Sequence, residues 1–129
     1  MLTGFTTGSF VARNINNHHI LSKLEALLDD YFDQKEKPLH GPPSVQFISG
    51  KLNVSPNYLS GLLKTLTGLN TQQHIQEKLI AVAKQKLSTT DFTVSEIAYE
   101  LGFEHLQSFS KLFKNKTKQS PLEFRRAFQ

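Results

Sequence analysis

The stretch ELGFEHLQSFSKLFKNKTKQSP, Glu100 to Pro121, runs from a glycine into a stripe of phenylalanines and then into lysines at every second or third position. Phe109, Leu112 and Phe113 fall on one helical face at three-and-four spacing, with Gln107, Ser108 and Lys111 on the opposite one. A segment of this kind buries its aromatic rings and keeps a polar, basic surface outside. Ahead of it, Thr93 and Glu96 form a capping-box pattern that opens VSEIAYEL, and Gly102 closes that helix where the chain turns left-handed. Behind it, Ser120, Pro121 and Glu123 cap LEFRRAF.

The same arrangement occurs earlier in the chain. Val45, Ile48, Ser49 and Leu52 match Val94, Ile97, Ala98 and Leu101 at an offset of 49 residues, and LSGLLK (59–64) matches FSKLFK (109–114) at an offset of 50. The second copy therefore carries one extra residue in its turn. Thr67 falls opposite Thr117, and His74 opposite Phe124, which is expected to be buried. The repeated unit is a helix–turn–helix. A small residue in each first helix, Ser49 or Ala98, lets the second helix cross closely. Leu59, Leu62 and Leu63, or Phe109, Leu112 and Phe113, then hold that second helix to the core. The face left outside offers Asn57, Tyr58, Ser60, Gly61 and Lys64 in the first copy, and His105, Leu106, Gln107, Ser108 and Lys111 in the second.

Between the copies, Asn70 and Gln73 make a second capping box, opening TQQHIQEKLIAVAKQKL. Its Ile75, Leu79, Ile80, Val82, Ala83 and Leu87 cover a wide apolar face, and Asn70 to Leu87 would span about 27 Å at the helical rise. The segment HHILSKLEALLDDYF, from His18, predicts an amphipathic leading helix with Asp29, Asp30 and Asp33 as its solvated end. DQKEKPLHGPP, with three prolines, predicts an irregular connection. Strand signals are nearly absent, so the chain reads as all-α.

Composition sets outer bounds. A chain of 129 residues suits one compact domain or two very small ones. With no cysteine, disulfides and cysteine-ligated zinc are excluded. No apolar run approaches the roughly 20 residues of a membrane span, and MLTGFTTGSFVARN lacks the layout of a secretory signal; a cytoplasmic protein with no membrane association is expected. Residues 1–40 carry four basic and five acidic side chains, whereas residues 105–126 carry six basic (Lys111, Lys114, Lys116, Lys118, Arg125, Arg126) against one acidic, Glu123. Such a local patch suits a polyanion. The adjacent His18 and His19 cannot face one metal from a helix, and no acidic pair or serine stands in a catalytic motif; no enzyme, metal or cofactor is expected.

From Val94 to Arg125 the chain closely resembles the signature of the AraC/XylS bacterial transcription factors, with Ile97, Ala98, Gly102, Phe103, Phe109, Ser110, Phe113, Lys114, Pro121 and Arg125 in the family's places. LNVSPNYLSGLLKTLTG and the linking helix are similar to the family too, so the resemblance covers about Ser44 to Phe128. It implies an all-α module of two helix–turn–helix subdomains, homeodomain-like three-helix units, joined by a long linker helix. The expected division is residues 1–40 as linker remnant and leading helix, 41–69 as the first helix–turn–helix, 70–88 as the linker helix and 89–129 as the second. The implied function is sequence-specific binding of double-stranded DNA, with two recognition helices in successive major grooves. Gln107 and Lys111 are the expected base readers, and Lys114, Lys116 and Lys64 the expected phosphate contacts. His105 either donates to a phosphate or only occupies the turn.

Three residues depart from the family's pattern. Gly61 stands where a charged contact residue is common, Lys118 replaces a glycine at a helix end, and Leu106 stands where some members carry a polar residue. Family members usually hold a sensor domain ahead of this module, and residues 1–40 are too short to be one. The alternative reading is a protein-interaction module that docks RNA polymerase or a sensor domain, with weak DNA contact.

Overall fold

The computed structural model describes residues 19–33 and 41–128. His18 and most of the DQKEKPLHGPP connection lie outside the described residues. The described chain is helical without a strand: α1 (19–33), α2 (Val45–Lys51), α3 (Pro56–Thr67), α4 (Thr71–Thr89), α5 (Val94–Glu100), α6 (Leu106–Thr117) and α7 (Pro121–Arg126). The bounds of α2 recur in α5 at the 49-residue offset, and those of α3 in α6 at 50. The start of α4 recurs in the start of α7. Each helix–turn–helix is thus completed by a third helix, and α4 plays that part for the first copy before running on to the second.

Local chemistry sets most of these bounds. Ser44 and Ser55 accept the backbone N–H of Phe47 and Tyr58 at 3.0 and 3.1 Å, opening α2 and α3. Reciprocal capping boxes open α4 (Asn70 with Gln73), α5 (Thr93 with Glu96) and α7 (Ser120 with Glu123). Both copies end their second helix identically. Thr67 donates to Leu63 O at 2.9 Å and accepts from Leu69 N–H at 3.2 Å, while Thr117 donates to Phe113 O at 2.9 Å and accepts from Gln119 N–H at 3.2 Å.

Two cores result. Leu24 and Leu28 of α1, Ile48, Leu59, Leu63 and Ile75 fill the first, and Leu79, Ile80, Ala83, Leu87, Ile97, Ala98, Leu101, Phe109 and Phe113 fill the second. Ser49 and Ala98 are both buried, as close helix crossing requires. Phe103, Phe109, Phe113 and Phe124 run through the second core with successive ring centroids 5.5–5.8 Å apart. The leading helix serves both cores, since Phe32 packs on the second. Its end is not simply solvated: Asp29 pairs with Lys78 of α4.

His74 and Phe124 occupy equivalent places but different chemistry. Phe124 is half-buried on Phe113 rather than buried, and the His74 Nε2 lies 2.7 Å from Thr67 Oγ1. Burial pushes the His74 imidazole below its ordinary range, with Glu25 and Glu77 pulling the other way. The folded state therefore resists protonating it. This contribution to stability is complete above the ordinary histidine value of 6.5 and is lost as pH falls through the lower folded value. His74→Phe is expected to flatten the fall in stability just below that range, as read by chemical denaturation at several pH values.

The turns use left-handed residues in register. Asn53 (φ 61°) and Gly102 (φ 96°) are equivalent, as are Gly68 (φ 83°) and Lys118 (φ 67°). Asparagine tolerates φ near 60°, as at Asn53, but the 96° of Gly102 lies beyond the usual left-handed range and itself favours glycine. The neighbour excludes a side chain as well: a Cβ on Gly102 would lie 2.6 Å from the carbonyl carbon of Gly41, in the connection ahead of α2. Tyr31 fixes that connection by donating from its hydroxyl to Gly41 O at 2.6 Å. Both Gly102→Ala and Gly102→Asn are expected to cost at least about 2 kcal/mol in urea unfolding, while Asn53→Gly, at the twin position, stays within about 0.5 kcal/mol.

Candidate nucleic-acid interface

The second helix of each copy is anchored along one side and bare along the other. Leu59 and Leu63 hold α3, and Phe109 and Phe113 hold α6, all four with no exposed surface. On the open side of α3, Asn57, Tyr58, Gly61 and Lys64 are exposed, and Ser60 is half-buried at the edge. On α6, Leu106, Gln107, Ser108, Lys111, Lys114 and Lys116 are exposed, with His105 just ahead as the N-cap residue. The His105 side chain makes no capping bond, so α6 is the one helix from α2 to α7 whose first turn lacks a side-chain cap.

Spacing of three and four extends each stripe beyond the residues singled out in the sequence. Thr65 and Asn115, one turn past Gly61 and Lys111, are exposed at equivalent positions. Helical periodicity alone could have found them. Asn115 shares a shallow cleft with Ser108, Lys111 and Leu112. The Thr65 hydroxyl instead donates to Gly61 O at 3.0 Å. The two faces then differ in charge, for Gly61, Lys64 and Gly68 stand where Lys111, Lys114 and Lys118 stand.

Two members of the basic cluster have structural roles, of which the sequence disclosed only the helix-end position of Lys118. Arg125 turns inward. Its Nε donates to Leu87 O at 3.0 Å and its Nη2 to Thr90 O at 3.3 Å, satisfying carbonyls at the C-terminal end of α4. Lys118 takes the left-handed angle otherwise given to glycine and closes α6 through its N–H to Lys114 O at 2.8 Å. Such a residue carries roughly 1–2 kcal/mol of strain. Glu123 is the carboxylate among these cations. Hydrogen bonds from Ser120, backbone first, hold it below the usual carboxylate range, and Lys114 and Arg126 add to the effect.

The groove between α1 and α4 mixes Asp29, Asp30 and Asp33 with Lys78 and Lys86, but Lys78 is paired with Asp29 and Lys86 lies 3.3 Å from Glu100. No group of three histidine or acidic side chains is placed to hold a metal ion among the described residues. No described helix is long and apolar enough to cross a membrane.

A helix-turn-helix domain family model matches residues 48–127. Regulatory protein SoxS of Escherichia coli K12 is 25% identical over 111 residues, covering 86% of this chain and 97% of SoxS. The HTH-type transcriptional activator RhaS of Enterobacter sp. 638 is 32% identical over 110 residues, covering 85% of this chain and 37% of RhaS. The chain thus spans nearly all of one relative and little more than a third of the other. Among solved structures, a transcriptional regulator with an AraC-type DNA-binding domain from Chromobacterium violaceum superposes with a TM-score of 0.72 at 22% identity, covering 88% of this chain and 96% of that one.

Arg125→Lys keeps the charge but not the fork that reaches two carbonyls. It is expected to lower stability by about 1–2 kcal/mol in thermal melts, with α4 fraying at its C-terminal end in hydrogen exchange. Arg126→Lys, on the exposed side of the same turn, should melt like the parent.

Proposed function

The chain belongs to the AraC/XylS-type helix-turn-helix family, and from that premise we propose that it is a DNA-binding transcription regulator whose α3 and α6 enter successive major grooves of one duplex. The observation that carries the reading is the pair of exposed, equivalent helix faces held by one unbroken linker. At about 1.5 Å per residue, the 19 residues of α4 span about 28 Å, a length suited to groove segments about 34 Å apart.

On α6, Gln107 and Lys111 are the base readers, by side chains long enough to reach base edges. Lys114 and Lys116 approach phosphates, which position the module without reading sequence. Leu106, exposed at the first position of the helix, offers carbon to a thymine methyl, and His105 and Ser108 border the same end. On α3, Asn57, Tyr58, Ser60, Gly61 and Lys64 form the corresponding face, with Lys64 as its phosphate contact. The half-buried Arg125, committed to the carbonyls of Leu87 and Thr90, is left out of this set.

Neutralising about six phosphates gives a log–log slope of affinity against salt of roughly −5, read by fluorescence anisotropy on a duplex selected from a randomised pool. Gln107→Ala should relax the preference at one base pair at a cost of about 1–3 kcal/mol, while Lys116→Ala weakens cognate and random duplexes alike. Equal losses on both duplexes for Gln107→Ala would remove its base-reading role. A slope near zero would instead point to an apolar protein-docking surface.

A further inference from the structure

Gly61 lies at the middle of α3, at the centre of the exposed stripe, where a glycine has no internal reason to be. A Cβ built there meets nothing within 4 Å, so neither packing nor backbone angle excludes a side chain. Glycine in a helix interior is also among the least favourable choices for stability. The equivalent position in the second copy holds a lysine, Lys111.

The surroundings of the gap define what could enter it. The Gly61 carbonyl accepts from the Thr65 hydroxyl at 3.0 Å, which uses that hydroxyl's one proton and leaves Thr65 able only to accept. One turn ahead stands Tyr58, 54% exposed. The centre of the face is therefore a notch at least as large as a methyl group, flanked one turn away by Asn57, Tyr58, Lys64 and Thr65. In the major groove, the apolar group that protrudes from a base edge is the C5-methyl of thymine.

We infer that the first unit reads a thymine methyl by seating it in the Gly61 notch, at the position where the second unit presents Lys111 to hydrogen-bond acceptors. This inference rests on the DNA-binding reading above. It makes the glycine a trade, in which helix stability is given up for close approach of the backbone to the base edge.

The test uses the whole chain and a duplex enriched from a randomised pool. Wild type is expected to enrich two blocks, and replacing thymine by deoxyuridine in the block that does not depend on Gln107 should weaken binding about fourfold, the worth of one buried methyl. Gly61→Ala is expected to melt higher, on the order of 4 °C, yet to bind the same duplex several-fold more weakly and to be indifferent to the deoxyuridine exchange. Gly61→Ala binding as tightly as wild type, or deoxyuridine exchange without effect in wild type, overturns the notch. A single enriched block that depends on Gln107 also overturns it but leaves the DNA-binding reading intact. No binding to any duplex would overturn both.

Discussion

One helix belongs to two cores, and the rest of the molecule is arranged around that constraint. Ile75 of α4 lies in the first core, whereas Leu79, Ile80, Ala83 and Leu87 lie in the second. No glycine or proline interrupts the helix between them. The separation of the two exposed faces is therefore set by helical rise rather than by a loop. Ties along α4 hold the other elements to it: Lys78 to α1, Lys86 to Glu100 of α5, and the carbonyls of Leu87 and Thr90 to Arg125 of α7. A bend in α4 would have to break contacts in at least one core, so the geometry of the pair is stiff.

Around this axis the two copies have kept the backbone and changed the surface. The threonine hydrogen bonds at the ends of α3 and α6 are the same, and left-handed residues recur at both the turn and the helix end. What varies is which residue meets each backbone demand. Asparagine serves at one turn and glycine at the other, where a wider φ and the press of the Gly41 backbone both exclude a side chain. At the helix ends the pattern is reversed, with glycine in the first copy and a strained lysine in the second. The lysine adds a cation beside Lys114 and Lys116, on the side of the molecule where cations are already gathered.

Much of this was legible in the sequence because the signals were local. Capping boxes, three-and-four periodicity and the offset of 49 and then 50 residues fix the helices and the duplication, and the residues singled out on α3 and α6 are exposed except the half-buried Ser60. Contacts between distant segments were not legible. Periodicity cannot say that Arg125 folds back onto carbonyls 35 and 38 residues away, so it counted as surface charge. Nor can it say that Asp29 meets Lys78, or that the leading helix contributes Leu24 and Leu28 to the first core. The equivalence of His74 and Phe124 was visible; the hydrogen bond that makes a histidine acceptable there was not.

The approach of Gly41 to Gly102 carries a consequence for the order of events in folding. Each three-helix unit is built from neighbours in sequence and can close over short loops, whereas this contact joins backbone positions 61 residues apart. The entropy of bringing them together is regained only once both units stand on α4. An interaction absent from the transition state governs how fast the native state is left rather than how fast it is reached. A glycine pair that closed only after that point would lengthen the life of the folded module without speeding its formation.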